Sequence, residues 1–154
     1  MSVADQLLTP EAEAWIGFSV MLPPEPIIER EVLRYLVATG VPLPAERGAS
    51  LRVPPLFYRT LGRRISSVDE IGEDGLWPGL RPNIGVGQVL AGGIDVEFAR
   101  PLVIGDVIGG ERKLTSLTPK SGRKLDFVLA RWTTLLTDEL GAEVLREDVT
   151  EIMY

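Results

Sequence analysis

The sequence predicts an α+β fold in which a long curved antiparallel sheet wraps around one central helix. Two observations carry this prediction: a succession of strand-like segments over residues 94–154, and one long amphipathic helix that precedes them at residues 28–39. Consecutive antiparallel strands must bury their apolar face, and this helix is the only long one available to cover it. The 154 residues match one ordinary domain, so we expect a single domain over residues 1–154.

Helix and strand signals define the first quarter of the chain. The Thr-Pro-Glu sequence at residues 9–11 is typical of a helix N-terminus, and a short helix should run to about residue 16. A strand over residues 18–22 should follow and end at the prolines of residues 23–26. Apolar residues at helical spacing then predict the helix at 28–39, and the glycine after it suits a left-handed helix end.

The middle of the chain, residues 41–93, lacks regular periodicity and is rich in Pro and Gly. A short helix is expected at residues 56–61, and the acidic run at residues 66–74 is interpreted as a solvated turn region. Irregular stretches of this length inside a compact domain tend to be functional or to contact partners.

The last third predicts four strands. The first is indicated by the alternation of Ile94, Val96 and Phe98 with acidic residues, and Gly109-Gly110 is predicted to form a bulge in the second. The remaining strands are expected at residues 107–117, 123–137 and 142–154, with turns at 101–106, 119–122 and 138–141. Exposed edge strands and an incompletely covered sheet face argue against an isolated monomer.

The composition excludes several kinds of catalysis. The chain contains no histidine and no cysteine, which removes Ser-His-Asp and Cys-His catalysis, His-ligated metals, thiolate chemistry and disulfides. Its chemistry must use carboxylates, hydroxyls, backbone amides and shape, or the residues of another subunit. We predict no metal and no cofactor.

Charge and hydropathy limit the partners. A net charge of −6 argues against nucleic acid. Two small basic clusters, Arg63-Arg64 and Lys120 with Arg123-Lys124, have the charge to hold a compact phosphate such as that of coenzyme A, although such clusters are usually solvated surface. No segment approaches the roughly 20 apolar residues of a membrane span, and no secretory signal is visible, so we expect a cytoplasmic protein without a membrane partner.

Several short motifs occur in an order and spacing that are characteristic of one family. They are WIG at residues 15–17, IERE at 28–31 leading to ATG at 38–40, VPPLF at 53–57, and VEFARPL at 96–102 followed by GD at 105–106. Together they resemble the MaoC-like hydratases and dehydratases, in particular the non-catalytic N-terminal halves of double hot-dog enoyl-CoA hydratases. The resemblance covers nearly the whole chain and implies a hot-dog fold.

Active members of that family follow the helix with Gly-Asp-x-Asn-Pro-Leu/Ile-His, whose Asp and His hold the water that adds to an enoyl thioester. Gly40 and Pro44 keep the Gly and the Pro of this pattern, but Val41 stands at the Asp position and Glu46 at the His position. A valine cannot accept a proton. The resemblance therefore implies a fold and a substrate class without the catalytic pair, and Glu46 is the one catalytic candidate.

The resemblance implies a subunit of a heteromeric enoyl-CoA hydratase or 3-hydroxyacyl-thioester dehydratase. It would accommodate the acyl chain of an acyl-CoA or an acyl carrier protein thioester, while a second hot-dog subunit supplies the Asp and His. The candidate substrate-binding residues are prolines, aromatic residues and glycines of the irregular half: Pro54, Pro55, Phe57, Tyr58, Trp77, Gly85, Gly87, Gly92 and Gly93. Core packing for the aromatic residues, and turn formation for the glycines, are the alternatives.

Two other functions remain open. One is a self-sufficient hot-dog enzyme, a thioesterase or a noncanonical hydratase that uses Glu46. The other is a purely structural acyl-thioester-binding protein. The sequence leaves open the acyl substrate, the carrier, and whether the partner is a second copy or a different chain.

Overall fold

The computed structural model describes residues 7–62, 67–71 and 88–154. Its main element is a five-stranded antiparallel sheet, which agrees with the predicted fold class. The strands lie in the order β1-β3-β4-β5-β2, so β1 and β2 form the two edges. Their bounds are β1 Ser19–Pro26, β2 Val89–Phe98, β3 Val107–Ser121, β4 Asp126–Thr137 and β5 Glu143–Met153.

Two α-helices and three short 3₁₀ helices accompany the sheet in the described residues. Helix α1 spans Pro10–Glu13 and is capped by the Thr9 hydroxyl, which accepts a hydrogen bond from the Ala12 N–H at 3.2 Å. Helix α2 spans Glu29–Ala38, within one residue of the prediction at each end. The 3₁₀ helices are Gly48–Ser50, Pro55–Thr60 and Val68–Glu70. The second confirms the helix expected at residues 56–61.

Helix α2 covers only part of the sheet. Its ten residues extend for about 15 Å, whereas the twelve residues of β4 extend for about 40 Å. Under α2 and the Pro55–Thr60 segment lies a buried group that we call cluster one: Ile27, Val32, Leu36, Leu51, Val53, Phe57, Tyr58, Leu61, Leu102, Ile108, Leu136, Val144 and Leu145.

The N-terminal segment covers the other part of the sheet. Leu7, Leu8, Trp15 and Phe18 pack against a second buried group, which we call cluster two. Its members are Ala12, Leu114, Leu117, Val128, Ala130, Trp132, Val149 and Met153. The face of the sheet that carries both clusters is called the covered face below, and the opposite face the outward face.

Strand β1 corrects the prediction that prolines end it. The strand continues through residues 23–26, with a shift in its register against β3 between Leu22 and Glu25. Because β1 is an edge strand, an N–H missing from a proline need not break a hydrogen bond to a second neighbour. The prediction from local sequence was wrong because edge position is a property of the whole sheet.

The irregularities of the sheet also differ from the prediction. Against β4, Gly109 and Gly110 pair in register with Thr137 and Leu136. The shift in that pairing falls between Leu114 and Ser116 instead. Against β1, the predicted irregularity is present at this point but its extra residue is in β1, since Leu22 pairs with Gly110 and Glu25 pairs with Ile108. Gly110 is needed for a different reason, since a Cβ atom there would lie 2.1 Å from the carbonyl oxygen of Leu135.

Three strand boundaries differ from the prediction. Strand β3 continues to Ser121, so the turn predicted at residues 119–122 lies at 122–125, and β4 begins at Asp126 rather than at residue 123. Strand β2 begins at Val89, which places Gly92 and Gly93 inside a strand. The turn predicted at residues 138–141 is confirmed, since the Asp138 carboxylate accepts hydrogen bonds from the N–H groups of Leu140 and Ala142.

Candidate functional site

The loop that follows α2 carries the two positions where the resembling family has its catalytic pair. It starts with a Schellman motif, in which Gly40 adopts a φ of +75°. The Gly40 N–H donates to the Val37 carbonyl at 3.1 Å, and the Val41 N–H donates to the Leu36 carbonyl at 2.9 Å. These bonds fix the direction in which the chain leaves the helix, as the glycine at this position predicts.

The far end of the loop is tied back to the start of α2. Arg47 donates to the carbonyl oxygens of Pro44 and Glu46, the latter at 2.8 Å. Its guanidinium also lies 3.7 Å from Oε1 of Glu29. The other carboxylate oxygen of Glu29 accepts a hydrogen bond from the Gly48 N–H at 3.1 Å. Glu29 and Arg47 therefore clamp the loop onto the helix.

The side chains of this loop are mainly exposed. Val41 and Leu43 present apolar surface, and the Glu46 carboxylate lies on the surface of the chain. A carboxylate that transfers a proton to or from a bound acyl group must be enclosed with it, and the described residues of this chain provide no such enclosure around Glu46. Turnover by Glu46 would therefore need an enclosure from elsewhere.

The other predicted site residues separate into three groups. Phe57 and Tyr58 are buried in cluster one, where the Phe57 ring packs edge to face on Tyr35 at 5.6 Å. Pro54 is half-buried and Pro55 is exposed at the start of the same segment. Gly92 and Gly93 lie at a register shift between β2 and β5. Trp77, Gly85 and Gly87, as well as the Arg63-Arg64 cluster, lie outside the described residues.

A buried carboxylate that sequence reasoning missed lies below the Pro55–Thr60 segment. Glu147 on β5 is 4% exposed. It accepts hydrogen bonds from the Tyr58 hydroxyl at 2.5 Å and from the Arg59 guanidinium at 2.6 Å. Burial, together with the hydrogen bond to Glu147, raises the pKa of Tyr58 to about 12, so the phenol is neutral and donates its proton to the bond.

A second polar group lies on the covered face beside cluster two. The Arg112 guanidinium stacks over Trp132, with its carbon 4.8 Å from the ring centre. The Trp132 indole N–H donates to Glu151 at 3.2 Å, and Arg112 is 3.7 Å from the same carboxylate. The covered face thus has charged, hydrogen-bonded side chains as well as its two apolar clusters.

The motif VEFARPL with GD has a structural role in this chain. Arg100 forms a bidentate pair with Asp106, at 2.7 and 3.1 Å, and reaches Asp138 at 3.5 Å. Asp106 also accepts a hydrogen bond from the Val103 N–H. These bonds join the turn before β3 to the turn before β5, and they hold one end of the sheet together.

Two further findings concern the described ranges alone. No three histidine, cysteine, aspartate or glutamate side chains come together there as a metal-binding group. Within the same ranges, no helix has the length and apolar composition that crossing a bilayer demands.

The arrangement of five strands around one principal helix defines a hot-dog fold, and solved structures of MaoC-like dehydratases share it. The ChsH1–ChsH2 complex from Mycobacterium tuberculosis matches with a TM-score of 0.66 and 13% identity, over 97% of this chain and 89% of that chain. A MaoC-like dehydratase matches with a TM-score of 0.61 and 21% identity, over 92% of this chain and 43% of that chain.

A third match is the C-terminally truncated HadBC complex, a (3R)-hydroxyacyl-ACP dehydratase from Mycobacterium tuberculosis. Its TM-score is 0.54 and its identity 12%, over 91% of this chain and 97% of that chain. At these identities the likeness shows the fold. No family model and no curated protein sequence matches this chain.

Proposed function

We propose that this chain is a non-catalytic, acyl-chain-accommodating subunit of a heteromeric enoyl-CoA hydratase or 3-hydroxyacyl-thioester dehydratase. A partner hot-dog subunit supplies the Asp and His, and the assembly works in the cytoplasm on an acyl-CoA or acyl carrier protein thioester. The observation that supports the proposal is the sequence of the loop after α2, in which the resemblance sets Val41 and Glu46 at the positions of the pair.

The chemistry of hydration explains why this observation matters. Water adds its oxygen to C3 of the enoyl thioester while C2 gains a proton, so one group must take a proton and one must give it. The charge that develops on the thioester oxygen needs a hydrogen-bond donor, for which a backbone amide suffices. Val41 can neither take nor give a proton, and Glu46 lies on the surface.

Two of the matching structures support the proposal of a second subunit. ChsH1–ChsH2 and HadBC are both complexes, and HadBC is described as a hydroxyacyl-ACP dehydratase. This chain also presents apolar side chains at the surface of its loop and of its edge strand, among them Val41, Leu43 and Ile94. Contact with a partner would remove that apolar surface from water.

The test compares the purified chain with its complex. Crotonyl-CoA hydration and acyl-CoA hydrolysis are measured for the chain alone and for the chain with the hot-dog subunit that co-purifies from the native host. We expect turnover only in the complex. Hydration or hydrolysis by the lone chain at ordinary enzymatic rates, lost in Glu46→Gln, would establish the self-sufficient enzyme instead.

Matched variants of the complex assign the catalytic pair. Replacing the Asp of the partner's motif by Asn should lower the rate at least about 100-fold, as expected for loss of a positioned proton-transfer group. Val41→Asn in this chain, and Glu46→Gln, should leave the rate within about twofold. Binding of acyl-CoA with no turnover in any combination would point to the structural acyl-binding protein.

A further inference from the structure

The two edges of the sheet differ in their ability to pair with another strand. Strand β1 contains Pro23, Pro24 and Pro26, which have no N–H to donate, whereas β2 contains no proline. Strand β2 has β5 as its one neighbour among the described residues. Its apolar side chains remain exposed, with Leu90 at 51%, Ile94 at 49% and Phe98 at 36%. Edge β2 is therefore the one suited to accept a partner strand.

The outward face of this edge is acidic. Val96 points to the covered face and packs against cluster one, so its neighbours Asp95 and Glu97 point outward, where both are exposed. Asp95 pairs directly with Asp148 of β5, and Glu97 pairs with Arg146. The Arg146 guanidinium is already engaged with Glu143 at 3.2 Å. The outward side of the edge thus has an excess of carboxylates.

Pairing of two copies through β2 would bring like charges together. We consider an antiparallel pairing in which the two sheets become continuous and the α2 helices of both copies lie on the same side. In this pairing, outward residues of one copy lie opposite outward residues of the other. The regular part of β2 is residues 93–98, beyond its register shift, and a two-fold axis at residue 96 of this part places Asp95 opposite Glu97 of the other copy. An axis at residue 95 places Asp95 opposite Asp95, and an axis at residue 97 places Glu97 opposite Glu97. Like charges directly opposite each other across strands are destabilising.

We infer that β2 pairs with the edge strand of a different hot-dog subunit, one that carries Lys or Arg opposite Asp95 and Glu97, and that self-pairing is disfavoured. This inference rests on the proposed heteromer and specifies the chemistry of the partner's edge. The carboxylates of Asp95 and Glu97 would attract a basic partner edge, and they would also repel the same edge of a second copy of this chain.

A charge-reversal experiment tests the inference with this chain alone. The double variant Asp95→Lys with Glu97→Lys supplies the basic edge, and sedimentation equilibrium measures the wild type, the variant and their equimolar mixture at low salt. We expect the mixture to associate at least about tenfold more tightly than either protein alone. At about 1 M salt, where the screening length falls to about 3 Å, this gain should largely disappear.

The control variant Glu11→Lys with Glu13→Lys changes the net charge by the same amount on α1, away from the edge. Its mixture with wild type should not gain affinity. The inference is overturned if wild type self-associates as tightly as the charge-reversed mixture, or if the control mixture gains as much. Circular dichroism of each variant, in which only exposed residues change, verifies that the fold is intact.

The native complex gives an independent readout. Asp95→Lys with Glu97→Lys should weaken binding of the co-purified subunit at least about tenfold. An unchanged affinity overturns the inference about the edge but leaves the assignment of the Asp and His untouched, because that assignment is read from turnover. Turnover by the lone chain would overturn the proposed function. The association data would still decide whether β2 prefers a basic partner edge to a second copy of itself.

Discussion

Glu147 is a charged residue at a buried position of β5. It lies between Leu145 and Val149 on the covered face, where alternation predicts an apolar side chain. A buried carboxylate is tolerated only when its lone pairs are used, and Tyr58 and Arg59 provide that compensation. Both donors belong to the Pro55–Thr60 segment, so the carboxylate fastens this segment to the sheet.

Tyr58→Phe removes one of the two donors and should lower the free energy of unfolding by about 1.5–3 kcal/mol at pH 7, the range for a hydrogen bond to a charged group. Since the pKa of Tyr58 is raised in the folded protein to about 12 from 10.0, the neutral phenol stabilises the fold below pH 10. That contribution is lost as the pH rises from 10 to about 12. Urea unfolding of both proteins across this range measures the difference.

Tyr35→Phe is the matched control for this measurement. Its ring packs on Phe57 in the same cluster, and no hydrogen bond from its hydroxyl is found among the described residues. It should change stability by less than Tyr58→Phe and show no special loss between pH 10 and 12. Equal effects of the two substitutions at every pH would show that Glu147 gains nothing from the Tyr58 hydroxyl.

At the scale of secondary structure, Gly110 fixes how closely β3 and β4 approach. An added Cβ would meet the Leu135 carbonyl oxygen at 2.1 Å and a Leu136 methyl carbon at 2.9 Å. Gly110→Ala must therefore displace backbone, and we expect it to lower the free energy of unfolding by about 3 kcal/mol. Urea denaturation at neutral pH measures this loss.

Gly93→Ala provides the comparison within the same sheet. A Cβ at Gly93 meets nothing within 4 Å, and its φ is not in the left-handed range. Its stability should stay within about 0.5 kcal/mol of the wild type. If Gly110→Ala were equally harmless, the close approach of the two strands would not be what requires a glycine.

The elements that the sequence predicted well are those whose signal is local. The bounds of helix α2 agree with the prediction to within one residue at each end, because its apolar spacing and the glycine that follows it are both local in sequence. The course of β1 through its prolines and the position of the β3 irregularity were missed, since both depend on which strands are neighbours. Glu147 was missed for the same reason, as its donor Tyr58 is 89 residues away in sequence.

For the whole molecule, the two clusters raise the question of whether the chain unfolds as one unit. Strands β3, β4 and β5 contribute to both clusters, so loss of one cluster removes the support of the other. We expect a single cooperative transition, in which tryptophan fluorescence and far-ultraviolet circular dichroism give the same midpoint. Trp15 and Trp132 report on cluster two, and Trp77→Phe removes the third tryptophan signal. Separate midpoints would contradict the single domain predicted over residues 1–154.

The residues that determine the conformation of the loop after α2 differ from those at the positions of the proton-transferring pair. Its conformation depends on Gly40, Glu29 and Arg47, and none of these is a position of the proton-transferring pair. The Val41 and Glu46 side chains are exposed and take no part in these contacts, so both can be exchanged at little cost in stability. In this loop, architecture and reactivity are independently variable.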